Sequence, residues 1–190
     1  MPGRQLAVNA TEPEAPEQTM TTDEELILEF QQGSSQAFEE LFRRYLQPIY
    51  GFFRRRLNDM ARAEELAQET FLAVIRGRER YEPRALVRTY LYGIALKQLA
   101  AERRRKVRSD TRPAVEATDS HNPDAAMWVG EALEKLDAQS REVVMLREYE
   151  QLSYEEIALL LSIPINTVRS RLFRARMELK SLLLSRNRAF

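Results

Sequence analysis

The chain has no cysteine and a single histidine, His121. That excludes disulfide frameworks, cysteine nucleophiles, iron–sulfur clusters and the usual zinc sites, which need several Cys or His ligands at fixed spacing. Direct thiol redox sensing is excluded for the same reason, and any metal site would have to be all-oxygen. No apolar run approaches the length that spans a bilayer, so no membrane insertion is expected. The N-terminus is acidic rather than basic-then-apolar; no signal peptide is expected, and the expected address is the cytoplasm. Net charge is also missing, with 29 basic residues against 29 acidic ones, so no bulk electrostatic partner is implied. Only six glycines serve 190 residues, and no stretch alternates with period two. Sheet is not expected.

What is present is segregation. Met1 to Glu25 carries net −5, and Leu26 to Pro83 is balanced. Arg84 to Arg112 holds nine basic and two acidic residues, net +7. Pro113 to Asp137 is net −5, Ala138 to Pro164 net −3, and Ile165 to Phe190 net +6. Two basic blocks set apart by acidic ones have the pattern of two anion-binding surfaces. Solvated helix faces would produce the same blocks.

The spacing predicts an all-α chain of two small helical domains joined by a flexible linker. Residues 1–21, with Pro2, Pro13 and Pro16 and few bulky apolar groups, read as a disordered acidic tail. A first domain is expected over 22–108. It starts at a capping box on Thr22 and Glu25 and is broken by Gly33-Ser34-Ser35. A helix from Gln36 to Arg56 should be kinked or divided at Pro48. Helices over Ala61 to Arg78 and Arg88 to about Val107 flank a loop containing Pro83. In the former, Leu66, Thr70, Phe71, Val74 and Ile75 are expected on the buried face. Residues 109–125 lack periodicity and read as the linker, with His121 inert inside it. A second domain is expected over 126–186, with helices at Ala126–Leu136, Ser140–Tyr149, Ser153–Leu161 and Pro164–Leu184.

The last two helices carry the clearest chemistry. Ser153-Tyr154-Glu155-Glu156 is a second capping box. Ser162-Ile163 makes a short turn, and Pro164 suits the opening of a helix because its missing N–H would be unpaired there anyway. That helix turns Ile165, Val168, Leu172, Ala175 and Leu179 inward. It presents Asn166, Thr167, Arg169, Ser170, Arg171, Arg174 and Arg176 outward, with no acid expected near the arginines. This is the helix-turn-helix pattern, whose second helix enters the major groove. There arginine reads guanine and asparagine reads adenine. An αα-corner with a solvated arginine face has the same spacing.

In the first domain, Arg103-Arg104-Arg105-Lys106 and Arg108 end a helix, where cations also stabilise the dipole. Tyr81, Tyr90 and Tyr92 lie upstream. Aromatics beside a basic track suit single-stranded DNA, with rings stacking on bases and cations neutralising phosphates. Aromatics at helical spacing also build cores, and Tyr90 and Tyr92 fit that role as well. Glu64, Glu65 and Glu69 form an acidic helical face, which a two-metal site, a solvated surface or a docking surface for a basic helix would each use.

Together these segments resemble the extracytoplasmic-function (ECF) sigma factors of bacterial RNA polymerase, which keep only region two and region four. The likeness runs from about Asp23 to Leu184. It is carried by Phe38-Glu39-Glu40-Leu41-Phe42, by Ala63-Glu64-Glu65-Leu66-Ala67-Gln68-Glu69-Thr70-Phe71, and by Leu152-Ser153-Tyr154-Glu155-Glu156-Ile157-Ala158 continuing through Ile163 to Leu172. The resemblance implies an alternative sigma factor, not an enzyme and without cofactor or metal. Such a protein binds core RNA polymerase, recognises the minus-ten and minus-thirty-five elements and promotes melting.

By the same resemblance, Glu64, Glu65, Gln68, Glu69 and Phe71 would meet the clamp helices of the largest subunit. Tyr81, Arg84, Arg88, Tyr90, Lys97, Arg103, Arg104 and Arg105 would hold the melted minus-ten element. The second domain would grip the flap of the second-largest subunit and set Asn166 to Arg176 in the minus-thirty-five groove. The acidic linker would thread toward the active-site cleft. Promoter DNA, double- and single-stranded, and an anti-sigma factor are the implied partners, with nucleoid association when in holoenzyme. The family often has Trp, Arg, Asn and Asp where Tyr90, Leu96, Lys97 and Ala101 stand, so its minus-ten preference does not transfer. It usually has Gly where Ser162 stands, a substitution costing about 1 kcal/mol or less at a left-handed position.

The alternative is a stand-alone helix-turn-helix regulator, which normally dimerises on paired half-sites; no heptad or long apolar seam is present for that. A metal-dependent nuclease or phosphotransferase on Glu64, Glu65 and Glu69 ranks last, having no nearby histidine and no phosphate loop.

Overall fold

Side-chain caps start most of the helices. Thr22 accepts from the Glu25 amide at 3.2 Å while the Glu25 carboxylate accepts from the Thr22 amide at 2.8 Å, opening α1 (Asp23–Gln31). Ser34 caps α2 (Ser35–Arg54) and Asp59 caps α3 (Met60–Arg76). A single 3-10 turn (Arg78–Arg80) leads to α4 (Val87–Arg108), whose first amide donates to the Glu24 carboxylate of α1 at 3.0 Å. Then come α5 (Pro123–Lys135), α6 (Ala138–Glu148), α7 (Tyr154–Leu161) and α8 (Ile165–Asn187). These elements come from a computed structural model that describes residues 21–82, 85–108 and 123–187, in which no strand occurs. Residues 1–20 of the expected tail and most of the expected linker, including His121, lie outside the described residues, as does Arg84.

The all-α expectation holds, with three local differences. Of the two outcomes expected at Pro48, a kink or a division, the division does not occur: α2 continues through it as one helix. Proline removes one ladder hydrogen bond, but Ile49, Phe52 and Phe53 just beyond it are fully buried, and their packing holds the helix together. Helix α5 begins at Pro123, three residues before the expected start, with proline in its favoured first position. Helix α6 begins two residues early because Asp137 accepts from the Gln139 and Ser140 amides, at 3.0 and 2.9 Å.

Helices α1 to α4 pack as one unit around Leu41, Phe52, Phe53, Leu66, Leu91 and Leu99, and α5 to α8 pack around Val143, Leu146, Leu152, Ile157, Val168 and Leu172. The two units also touch. Helix α4 lies on α7, and their buried apolar residues form one continuous cluster. Sequence periodicity carries no trace of this contact, because it is a property of the surfaces left over after each unit has buried its stripes.

Candidate nucleic-acid interface

Helix α7 begins with the expected box. The Glu156 amide donates to the Ser153 hydroxyl at 3.1 Å, and the Ser153 amide to Glu156 Oε2 at 2.8 Å. It ends at Ser162 in the left-handed region, φ 53° and ψ 45°, where the Ile163 amide donates back to the Ala158 carbonyl at 3.0 Å. The turn therefore keeps the geometry that favours glycine, with serine in place. Ser162→Gly is expected to raise stability by up to about 1 kcal/mol, read as an upward shift of the thermal midpoint; a downward shift would show the serine hydroxyl to be needed.

The turn delivers α8 with Val168, Leu172 and Ala175 fully buried. Asn166, Arg169, Ser170 and Arg174 stand exposed on the other side. Arg169 bonds the Asn166 amide oxygen at 3.3 Å and Arg174 the Ser170 carbonyl at 3.3 Å, so both cations rest on neutral groups. Thr167 is half-buried. Arg171 and Arg176 differ from expectation. Arg171 donates to Gln139 at 2.6 Å, and Arg176 forms a 2.6 Å ion pair with Glu148, both partners on α6. That Glu148 hydrogen bond, more than any other influence, pushes the Arg176 guanidinium further up in pKa. The absence of acids near these arginines, expected from sequence neighbours alone, fails because α6 crosses the base of α8.

On α3, Glu64, Glu65, Gln68 and Glu69 are exposed as expected. Phe71 is not: it is 3% exposed, its ring edge-on to Phe42 at 4.8 Å, so it supports the helix from within rather than touching a partner. Ile75 is corrected in the opposite sense. Expected in the core, it is 45% exposed, as is Leu72. Glu64, Gln68, Leu72 and Ile75 thus form one outward row along α3. Sequence reasoning missed the apolar half of this row, although spacings of four, four and three held the signal. Arg62 sits over the acidic part, 2.8 Å from Glu65, 3.1 Å from Glu69 and 3.0 Å from buried Glu102. A guanidinium thus occupies the position a bridging cation would need.

The basic face of α4 is partly committed. Tyr81 is 5% exposed, its ring edge-on to Tyr90 at 5.3 Å and its hydroxyl donating to the Ala85 carbonyl at 2.8 Å. Gln31 of α1 pulls this loop inward by donating to the Arg78 and Tyr81 carbonyls, both at 2.9 Å. Tyr81 is therefore a core ring here and not an open stacking face; Tyr92, 4% exposed, is one too, while Tyr90 is half-buried. Burial is the main cause raising the pKa of all three phenols. Lys97, Arg103 and Arg104 are exposed. Arg105 pairs with Glu102 at 3.0 Å and keeps 67% of its side chain in solvent. Arg88 is held by Glu156 of α7, in a fork closed by both carboxylate oxygens.

An acidic-apolar row on α3, followed by a basic surface at the end of α4 and another on a helix-turn-helix, matches two known family descriptions in order. Residues 41–109 match Sigma-70 region 2, and residues 126–179 match Sigma-70, region 4. The sigma factor CarQ of Myxococcus xanthus is 38% identical over 162 residues, covering 81% of this chain and 93% of CarQ. The chain belongs to the ECF sigma factors of RNA polymerase. The ECF sigma-E factor of Haemophilus influenzae is 32% identical over 180 residues, covering 82% of this chain and 92% of that one. The solved structure of CnrH in complex with the cytosolic domain of CnrY superposes with a TM-score of 0.66 at 25% identity, covering 86% of this chain and 97% of CnrH. This sigma factor is thus an alternative specificity subunit for transcription initiation, in a family that is not catalytic. No helix among its described residues is long and apolar enough to cross a membrane.

Proposed function

We propose that this sigma factor joins core RNA polymerase in the cytoplasm and reads promoters at two elements, one with each helical unit. It would be nucleoid-associated when in holoenzyme. The observation that carries this reading is α8: a fully buried apolar stripe fixes the helix while Asn166, Arg169, Ser170 and Arg174 project from the far side. These groups, with Thr167, Arg171 and Arg176 at the margin, suit the major groove of the minus-thirty-five element. Two weak DNA-binding surfaces acquire avidity only when a scaffold fixes their separation, and polymerase is that scaffold.

The minus-ten element would meet Arg88, Tyr90, Lys97 and the Arg103-Arg104-Arg105 run, with Arg84 and Tyr81 bordering the path. The outward row of α3 would dock on the clamp helices of the largest subunit, and residues 126–186 would grip the flap of the second-largest one. Trapping unstacked bases on the first unit would make strand separation favourable. The cytosolic domain of CnrY, bound to the related CnrH, supports a partner of the same kind here: an anti-sigma segment covering the polymerase-binding faces.

The direct test is run-off transcription. Core enzyme plus this chain should initiate at a cognate promoter from which neither initiates alone. Tight, specific duplex binding by the isolated chain without core enzyme would instead support a stand-alone regulator. A second measurement addresses α4. Neutralising Arg103, Arg104, Arg105 and Lys106 to Gln should flatten the salt dependence of holoenzyme–promoter binding, by about 0.7–0.9 in log–log slope for each phosphate left without its cation. An unaltered slope would mean that the run serves only the C-terminus of its helix.

A further inference from the structure

Helix α1 holds both ends of the connection that leads from α3 into α4. Gln31 donates through one amide nitrogen to the Arg78 and Tyr81 carbonyls, both at 2.9 Å, and so grips the 3-10 turn at its first residue and just past its last. The Arg78 guanidinium lies 5.9 Å from the centre of the Phe30 ring, beside Gln31 on the same helix. Seven residues before Gln31, two turns back along one helical face, the Glu24 carboxylate accepts from the Val87 amide at 3.0 Å. That amide opens α4, and Leu86 before it carries no side-chain oxygen to cap the helix. The cap comes instead from 63 residues upstream. Helix α1 is itself a fixed support. Leu26, Ile27 and Phe30 are buried, and Asp23 is held on α2 by Arg44 at 2.7 Å and by the Tyr45 hydroxyl.

Both contacts lead to Tyr90. Its ring lies edge-on to Tyr81, with centres 5.3 Å apart, and a Cβ placed on Gly77 would stand 3.5 Å from its hydroxyl oxygen. The residues on either side of the 3-10 turn therefore form the seat of the ring. The Tyr90 amide donates to the Leu86 carbonyl at 3.1 Å, closing the first turn of α4. Gln31 thus fixes the seat, and Glu24 fixes the turn of helix that carries the ring. Of Tyr81, Tyr90 and Tyr92, only Tyr90 is not buried. An unpaired base gains most from a ring that is already oriented, because ordering a loose side chain is subtracted from the stacking energy.

We propose that Gln31 and Glu24 are positioning residues for single-stranded DNA: α1 fixes the 3-10 turn and the first turn of α4, and through them the Tyr90 ring on which an unpaired base stacks. This role rests on the minus-ten assignment of Tyr90 made above; the two braces themselves do not.

The test is a set of double-mutant cycles on holoenzyme. Q31E keeps the length of the side chain but has no N–H, so the two carbonyls face a carboxylate. E24A removes the cap on α4, and E24Q keeps an oxygen that accepts from Val87. Each is built alone and with Y90A. Anisotropy of an end-labelled single-stranded DNA of mixed sequence reads binding, with core enzyme alone as the baseline. Stacking is tolerant of base identity, so the probe needs no particular promoter. Y90A should weaken binding about tenfold, the loss of one stacked base. Q31E and E24A should each approach that loss in the parent, yet add less than about twofold once Tyr90 is gone. E24Q should stay within about twofold of the parent, and affinity for core polymerase should not change in any of them. Losses that add in full to that of Y90A overturn the proposal, since Gln31 and Glu24 would then be general supports of the fold. Q31E and E24A both at the parent level, with Y90A impaired, overturn it too. Y90A at the parent level overturns the minus-ten assignment of Tyr90, and this role with it. Each brace has its own cycle, so a variant that fails to fold leaves the other to decide.

Discussion

Arg169→Ala, Arg171→Ala and Arg174→Ala, combined in one chain, should lower holoenzyme affinity for a promoter carrying the upstream element by at least about a hundredfold, since each base-reading arginine is worth about 1–3 kcal/mol. The three contributions should be unequal. Arg169 and Arg174 rest on neutral oxygens of their own helix and move to a base edge at little cost. Arg171 must first leave Gln139. Val168, Leu172 and Ala175 are untouched by the changes, so the thermal midpoint should hold within the range of surface substitutions, about 0.5 kcal/mol. Competition binding on matched promoters, with and without the upstream element, separates base reading from phosphate attraction. Loss confined to the element-bearing promoter marks base contacts, and equal loss on both marks phosphates. Unchanged promoter use in the triple variant would remove α8 from recognition.

The second large effect belongs to α3. Leu72→Asp with Ile75→Asp should weaken binding to core polymerase by about a thousandfold, because apolar groups desolvated at the centre of an interface contribute about 2 kcal/mol apiece. Both side chains are 45% exposed, so they leave little apolar contact behind in the fold. Phe71→Ala makes the contrasting control. Its ring is packed against Phe42 and Phe38, and its removal should cost about 3–5 kcal/mol of stability. The aspartate pair should therefore lose polymerase with its melting curve intact, whereas Phe71→Ala should lose its melting transition first. Retained polymerase binding by the aspartate pair, measured by co-elution at moderate salt, would move the docking face elsewhere on the first unit.

Both predictions turn on residues that periodicity sorted only in part. A helical stripe identifies the face that some neighbour covers, and for Val168, Leu172 and Ala175 one neighbouring stripe was enough. Ile75 sits at the margin of its stripe, one residue from the end of α3, and is 45% exposed. Phe71 sits beside the acidic face in sequence, yet points at the α2 aromatics in space. Tyr81 reads as a loop aromatic until Gln31, fifty residues earlier, is seen to hold its carbonyl.

What the amino-acid order determined by itself was local. It set the helices, because their caps and breaks lie within four residues of one another. The left-handed turn at Ser162 was legible only through the glycine that the resembled family usually carries there, and the structure shows serine adopting it. Amino-acid order also set the family, because the two motifs are contiguous. Tertiary structure alone decided which cations are free. Arg171 and Arg176 are tethered by α6, Arg62 is shared among three glutamates, and Arg55, Arg56 and Arg88 are held by the second unit. Charge acts through space at a few ångströms, while the partners lie from three to 95 residues away along the chain. Nothing in the spacing of the residues records which of them will meet.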